Sequence, residues 1–87
     1  MPEYDLGAVH QLLTSAFSTD ELRRFCRDRD PFQPILYRFP VNASLNDMAD
    51  AVIEYCEQHV LMDELMAAIA QVNPRQFDRF RNRIEGQ

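Results

Sequence analysis

Apolar residues recur along this chain at intervals of three and four rather than two, so the pattern predicts helices and no strands. Leu6, Val9, Leu13, Ala16 and Phe17 share one face of a helix expected over about Asp5 to Phe17. Ser18, followed three residues later by Glu21, forms a capping box in which each side chain meets a free backbone N–H. A second helix therefore starts there and runs to about Asp28. Its Leu22, Phe25 and Cys26 converge on one side, and Arg23, Arg24 and Arg27 on the other.

The next stretch, DPFQPILYRFP at residues 30–40, contains Pro31, Pro34 and Pro40 among large apolar side chains. Proline removes a donor and clashes with the preceding turn, so no long helix is expected there, only a short turn over Ile35 to Phe39. Ser44 then reads as the N-cap of a long helix reaching about Gln58, with Asp47 at the third position, where the helix dipole favours an anion. Its buried stripe is Leu45, Met48, Ala49, Val52 and Cys56. On the opposite side Asp47, Asp50, Glu54 and Glu57 fall within roughly 80° of one another, an acidic ridge.

After His59 a further amphipathic segment presents Leu61, Met62, Leu65, Met66, Ile69 and Val72, ending at Asn73. Asn73 caps the last helix, Pro74 takes its first position with a preset φ, and Gln76 can complete a capping box. There Phe77, Phe80 and Ile84 point inward while Arg75, Arg79 and Arg83 form a basic stripe on the reverse. The expected fold is all-α: a compact antiparallel bundle of five to six helices, forming one domain over residues 1–87.

Charge changes this picture from a generic bundle to a polarised one. Fourteen acidic residues against nine arginines, and no lysine, leave a net charge of −5, which argues against a general nucleic-acid or anionic-membrane binder. The imbalance is segregated. Residues 23–38 hold five Arg against two Asp, residues 39–73 hold six carboxylates and no cation, and residues 74–87 hold four Arg against two acids. The ridge therefore cannot be neutralised by pairing within its own helix. Either the arginine helices lie beside it in the same molecule, or each stripe is solvated, or oppositely charged faces join separate copies head to tail.

Catalytic and cofactor chemistry finds little footing. Cys26, Cys56, His10 and His59 are the only candidates for a nucleophile pair or metal site, with Cys56-x-x-His59 the nearest approach to a ligand spacing. Both cysteines fall on apolar helix faces, where a thiol usually serves as a small buried hydrophobe. Two glycines are too few for a phosphate loop. No enzyme activity, cofactor or metal is expected. The start MPEYDLG lacks a basic-then-apolar leader, and no apolar run approaches the ~20 residues of a membrane span, so a soluble protein of the reducing cytoplasm is expected.

The run Leu12-Leu13-Thr14-Ser15-Ala16-Phe17-Ser18-Thr19-Asp20-Glu21-Leu22-Arg23-Arg24-Phe25-Cys26 resembles the opening of bacterial effector-associated domains. So do Ile53-Glu54-Tyr55-Cys56-Glu57-Gln58-His59, Asp63-Glu64-Leu65 and Asn73-Pro74-Arg75-Gln76-Phe77, which extends the similarity over roughly residues 6–80. The resemblance implies a death-fold-like bundle of about six helices used for homotypic adaptor contacts in bacterial conflict, antiviral and death-like systems. It implies as partners a like domain on a sensor NTPase, on a caspase-like or trypsin-like protease or on another effector, and possibly the chain itself. The proline cluster at residues 31–40 departs from that pattern.

Two other classes compete. Ser44-Leu45 opens a helix with an acidic face, as the prosthetic-group serine does in acyl carrier proteins, although that family has Asp before the serine and a nearby Gly where this chain has Ala43 and Asn42. A small DNA reader could use Arg23, Arg24, Arg27 and Arg29 as phosphate contacts, against the repulsion of its acidic neighbours. The expected interaction residues are thus Arg23, Arg24, Arg27 and Arg29 on one basic face, Asp47, Asp50, Glu54 and Glu57 on the acidic face, and Arg75, Arg79 and Arg83 on a second basic face.

Overall fold

The computed structural model describes residues 4–84, and all regular structure among them is helical. Helix α1 spans Leu6–Ala16, α2 Thr19–Arg27, α3 Leu45–Gln58, α4 Met62–Val72 and α5 Pro74–Ile84, with a 3-10 helix over Asp30–Arg38 between α2 and α3. The all-α bundle expected from periodicity is what forms. Its radius of gyration, 11.8 Å, is close to the ~12 Å of a well-packed chain of this length.

Local chemistry sets most boundaries. The Asp5 carboxylate accepts from the Ala8 N–H at 3.2 Å and starts α1. Ser18 and Glu21 make the expected capping box, with Ser18 N donating to the Glu21 carboxylate at 2.9 Å and Glu21 N to the Ser18 hydroxyl at 3.2 Å. Ser44 and Asp47 repeat the device at the start of α3. At α5 only half of it forms: Gln76 N donates to Asn73 Oδ1 at 3.3 Å, but Gln76 Oε1 is buried with no donor among the described residues.

The 30–38 segment differs from the short turn expected at 35–39. Helical turns begin five residues earlier, because the φ that proline fixes near −65° suits a 3-10 helix and Pro31 sits in its first turn, where its missing N–H would have no partner. Three residues per turn place Phe32 and Ile35 in one line, and both are fully buried. The turn that follows closes with Ala43 N donating to Pro40 O at 3.2 Å, and its third residue, Asn42, takes a positive φ of 61°, which asparagine tolerates.

Helices α1, α3, α4 and α5 form a ring: α1 packs on α3 and α5, and α4 packs on α5 and α3. The pair made by α2 and the 3-10 helix closes one end by packing against α3. The ends of the ring meet where Asp5 N donates to Ile84 O at 2.9 Å. Val9, Leu12, Leu13, Leu22, Met48, Val52, Leu65 and Ile69 make the dry centre.

Two expected core positions lie outside it. Leu6 and Val72, at the first turn of α1 and the last turn of α4, extend past the neighbouring helices and are 37% and 49% exposed. Conversely, Leu12, Ile53 and Tyr55 are buried although they fall off the expected stripes, since α1 and α3 each pack against neighbours on more than one side.

Candidate protein-interaction surfaces

The capped start of α2 aims Arg23, Arg24 and Arg27 outward, and all three are exposed. Arg29 does not join them. It caps the 3-10 helix, is half-buried, and lays its guanidinium 4.7 Å from the centre of the Phe25 ring. Arg23 stands 5.8 Å from the Phe39 ring, and Arg27 Nε lies 3.7 Å from the neighbouring Asp28 carboxylate.

All four ridge residues of α3 are exposed. Asp47 is engaged in capping its own helix, and Asp50 Oδ1 lies 3.3 Å from His10 Nε2 on α1. Glu54 and Glu57 have no ion pair among the described residues. The alternative in which the arginine helices neutralise the ridge inside one molecule is not realised: among the described residues, no arginine pairs with any of the four carboxylates.

The ridge is one wall of an open groove of about 440 Å³, lined by Asp47, Asp50, Ala51 and Glu54 from α3 and by Arg38 and Pro40 across from it. Arg38 is held by stacking 5.1 Å from the Tyr55 ring and by donating to Gln58 Oε1 at 3.3 Å. Its chain neighbour Tyr37 is 91% exposed, and Val41, beside Pro40, is 90% exposed. Sequence reading passed over Tyr37, Arg38 and Val41, because the proline-rich segment carries no periodicity from which an outward face could be assigned. The outward face of Tyr37 follows only from the 3-10 geometry that the structure shows, since it lies two residues past the buried Ile35 in a helix of three residues per turn.

On α5, Arg75, Arg79 and Arg83 are exposed as expected. Arg83 stacks 5.5 Å from the Phe80 ring, while Arg81, on a neighbouring edge, pairs with Asp78 and stacks 5.9 Å from Phe77. Arg75 and Arg79 have neither ion pair nor ring contact among the described residues. Five of the nine arginines thus lie over aromatic rings, a use of the planar guanidinium that spacing alone does not disclose.

The residues weighed for chemistry have structural roles. Cys26 and Cys56 are fully buried, and loss of solvation is the main reason both thiols are pushed up to about 12, with Cys56 adding to the shift of Cys26 and Glu64 to that of Cys56. His59 packs its ring 4.2 Å from that of Tyr55. No group of three or more His, Cys, Asp or Glu among the described residues is arranged to hold a metal ion. The Ser44 hydroxyl accepts from Asp47 N at 3.1 Å, the work of an N-cap. No helix among the described residues is long and apolar enough to cross a membrane.

These features define a small all-helical bundle that leaves its strongest charged faces open to other molecules. The chain belongs to the effector-associated domain 7 family, whose sequence model matches residues 9–74. That span takes in α2, the 3-10 helix, α3 and α4 and stops at the first residue of α5. No curated protein and no solved structure matches the chain.

Proposed function

We propose that the chain is a non-catalytic, death-fold-like adaptor of the cytoplasm. It joins a sensor protein to an effector through contacts between like domains, in a bacterial conflict, antiviral or death-like signalling system. The observation that carries this reading is the separation of exposed arginines on α2 and α5 from exposed carboxylates on α3, with no pairing between them among the described residues. Membership in a family of effector-associated domains supports it, because the family is described by association with effectors and not by a reaction. Complementary faces of this kind select a partner and speed encounter more than they add affinity.

In this reading Arg23, Arg24 and Arg27 meet the acidic face of a like domain on a sensor NTPase, a caspase-like or trypsin-like protease, or another effector. The test is co-purification of the chain with effector-associated domains encoded beside it, at low and high salt. Arg23→Glu with Arg27→Glu should abolish capture while helical circular dichroism is unchanged. If the reversed protein captures the same domains as well as the original does, the α2 face is not the contact.

A further inference from the structure

We propose that the groove between α3 and the 38–40 turn receives the α5 arginine stripe of a second copy of this chain, so that copies add head to tail. This rests on the adaptor reading and names one of its contacts. The α3 wall of the groove and the stripe match in sign and in spacing, and the three carboxylates of that wall outnumber the single guanidinium, Arg38, across from it. Asp50 and Glu54 stand one helical turn apart, about 6 Å along the axis, and so do Arg75 and Arg79. Asp47 and Arg83 extend the two rows to about 10 and 12 Å. Two exposed helices lying side by side therefore bring each guanidinium opposite a carboxylate, with the planar fork suited to bidentate pairing.

The α5 stripe is the better mate of the two basic faces. Two of its three arginines, Arg75 and Arg79, are uncommitted among the described residues, with Arg83 stacked on Phe80, whereas on α2 only Arg24 is free: Arg23 stacks on Phe39 and Arg27 lies beside Asp28. Phe39 belongs to the segment that borders the groove, so the α2 face adjoins the receptor rather than opposing it.

The ring of helices also keeps the two faces apart within one molecule, where no ion pair joins them among the described residues. Helices α3 and α5 are diagonal, each packed on both α1 and α4, so their outward faces point to opposite sides. A copy that inserts its α5 keeps its own groove free, which is the condition for a ring or an open chain. Tyr37 and Val41 supply the apolar part. Both are almost fully exposed and flank, in the chain, the groove-lining Arg38 and Pro40. Tyrosine and arginine, here Tyr37 beside Arg38, are residue types enriched at interface centres.

Light scattering of the chain over concentration at low salt is the test, with two double variants whose helical circular dichroism is checked first. The original protein should gain mass with concentration and lose it as salt rises. Asp50→Arg with Glu54→Arg, and Arg75→Glu with Arg79→Glu, should each be monomeric alone. Mixed in equal amounts they should assemble, because the intact groove of one meets the intact stripe of the other. Tyr37→Ala should weaken self-association at least about tenfold.

A mixture that stays monomeric where the original assembles overturns the pairing. So does an α5-reversed protein that still assembles while Arg23→Glu with Arg27→Glu does not, which moves the mate to α2. An original protein that is monomeric throughout also overturns the contact between copies. In those cases capture of a like domain from another protein keeps the adaptor reading, and loss of both assembly and capture ends it as well.

Discussion

His10 Nε2 on α1 lies 3.3 Å from Asp50 Oδ1 on α3, the one ion-pair contact among the described residues that reaches the acidic ridge. The Asp50 side chain is 71% exposed, so water competes for the pair and its contribution is small. His10→Ala should lower the unfolding free energy by less than about 1 kcal/mol. Leu12→Ala, fully buried two residues further along α1, should cost about 2–5 kcal/mol. Urea titrations of the two variants check this; comparable losses would make the histidine a structural residue.

Val60 follows the C-cap of α3 with a φ of 56° and is 83% exposed. The position belongs to a glycine-type helix end, in which Leu61 N donates back to Cys56 O at 2.8 Å. A β-branched residue is strained in that conformation by about 1–2 kcal/mol, partly offset in glycine by its freer unfolded chain. Val60→Gly should therefore raise stability by roughly 0.5–1 kcal/mol, seen as a melting temperature higher by a few degrees.

Phe32 and Tyr37 sit in the same 3-10 helix, one buried and stacked 5.7 Å from Phe25, the other bare to solvent. Phe32→Ala should destabilise by about 3–5 kcal/mol through loss of burial and the cavity left behind. Tyr37→Ala should stay within about 0.5 kcal/mol. Thermal melts of both separate core from surface, and a large loss at Tyr37 would place its ring in the fold instead of at an interface.

The two thiols give a pH dependence. Each is raised from 9.0 to about 12 in the folded protein, so between those values the unfolded chain releases protons that the folded one retains. Stability from this source is complete below pH 9 and is lost as pH climbs toward 12. Urea midpoints measured from pH 8 to 11 should fall less steeply in a Cys26→Ala, Cys56→Ala variant than in the original. Neither thiol should react with iodoacetamide at neutral pH until the protein unfolds.

Residues that act over four positions were readable from order alone. Ser18 with Glu21, Ser44 with Asp47, and the stripe of Leu22, Phe25 and Cys26 all appear in the fold as their spacing requires, because a helix brings i, i+3 and i+4 together wherever it lies. The proline-rich stretch was not readable to the same degree. Its helical turns depend on Phe32 and Ile35 finding a core, and proline, which forbids a long α-helix, presets a φ that suits the tighter 3-10 turn although Pro34 gives up one hydrogen bond within it.

The candidate surfaces divide along the same line. That Asp50, Glu54 and Glu57 share one face of a helix, and that Arg75, Arg79 and Arg83 share one face of another, follows from sequence, since both are properties of a single helix. Whether those faces meet in one molecule is settled by which helices pack together, and α3 and α5 each pack mainly on other helices, α1 and α4 among them. The groove joins Arg38 and Pro40 to side chains of α3, and Arg38 is placed there by Tyr55, seventeen positions away. Contacts over such separations depend on the packing of whole helices, which no local interval in the chain encodes.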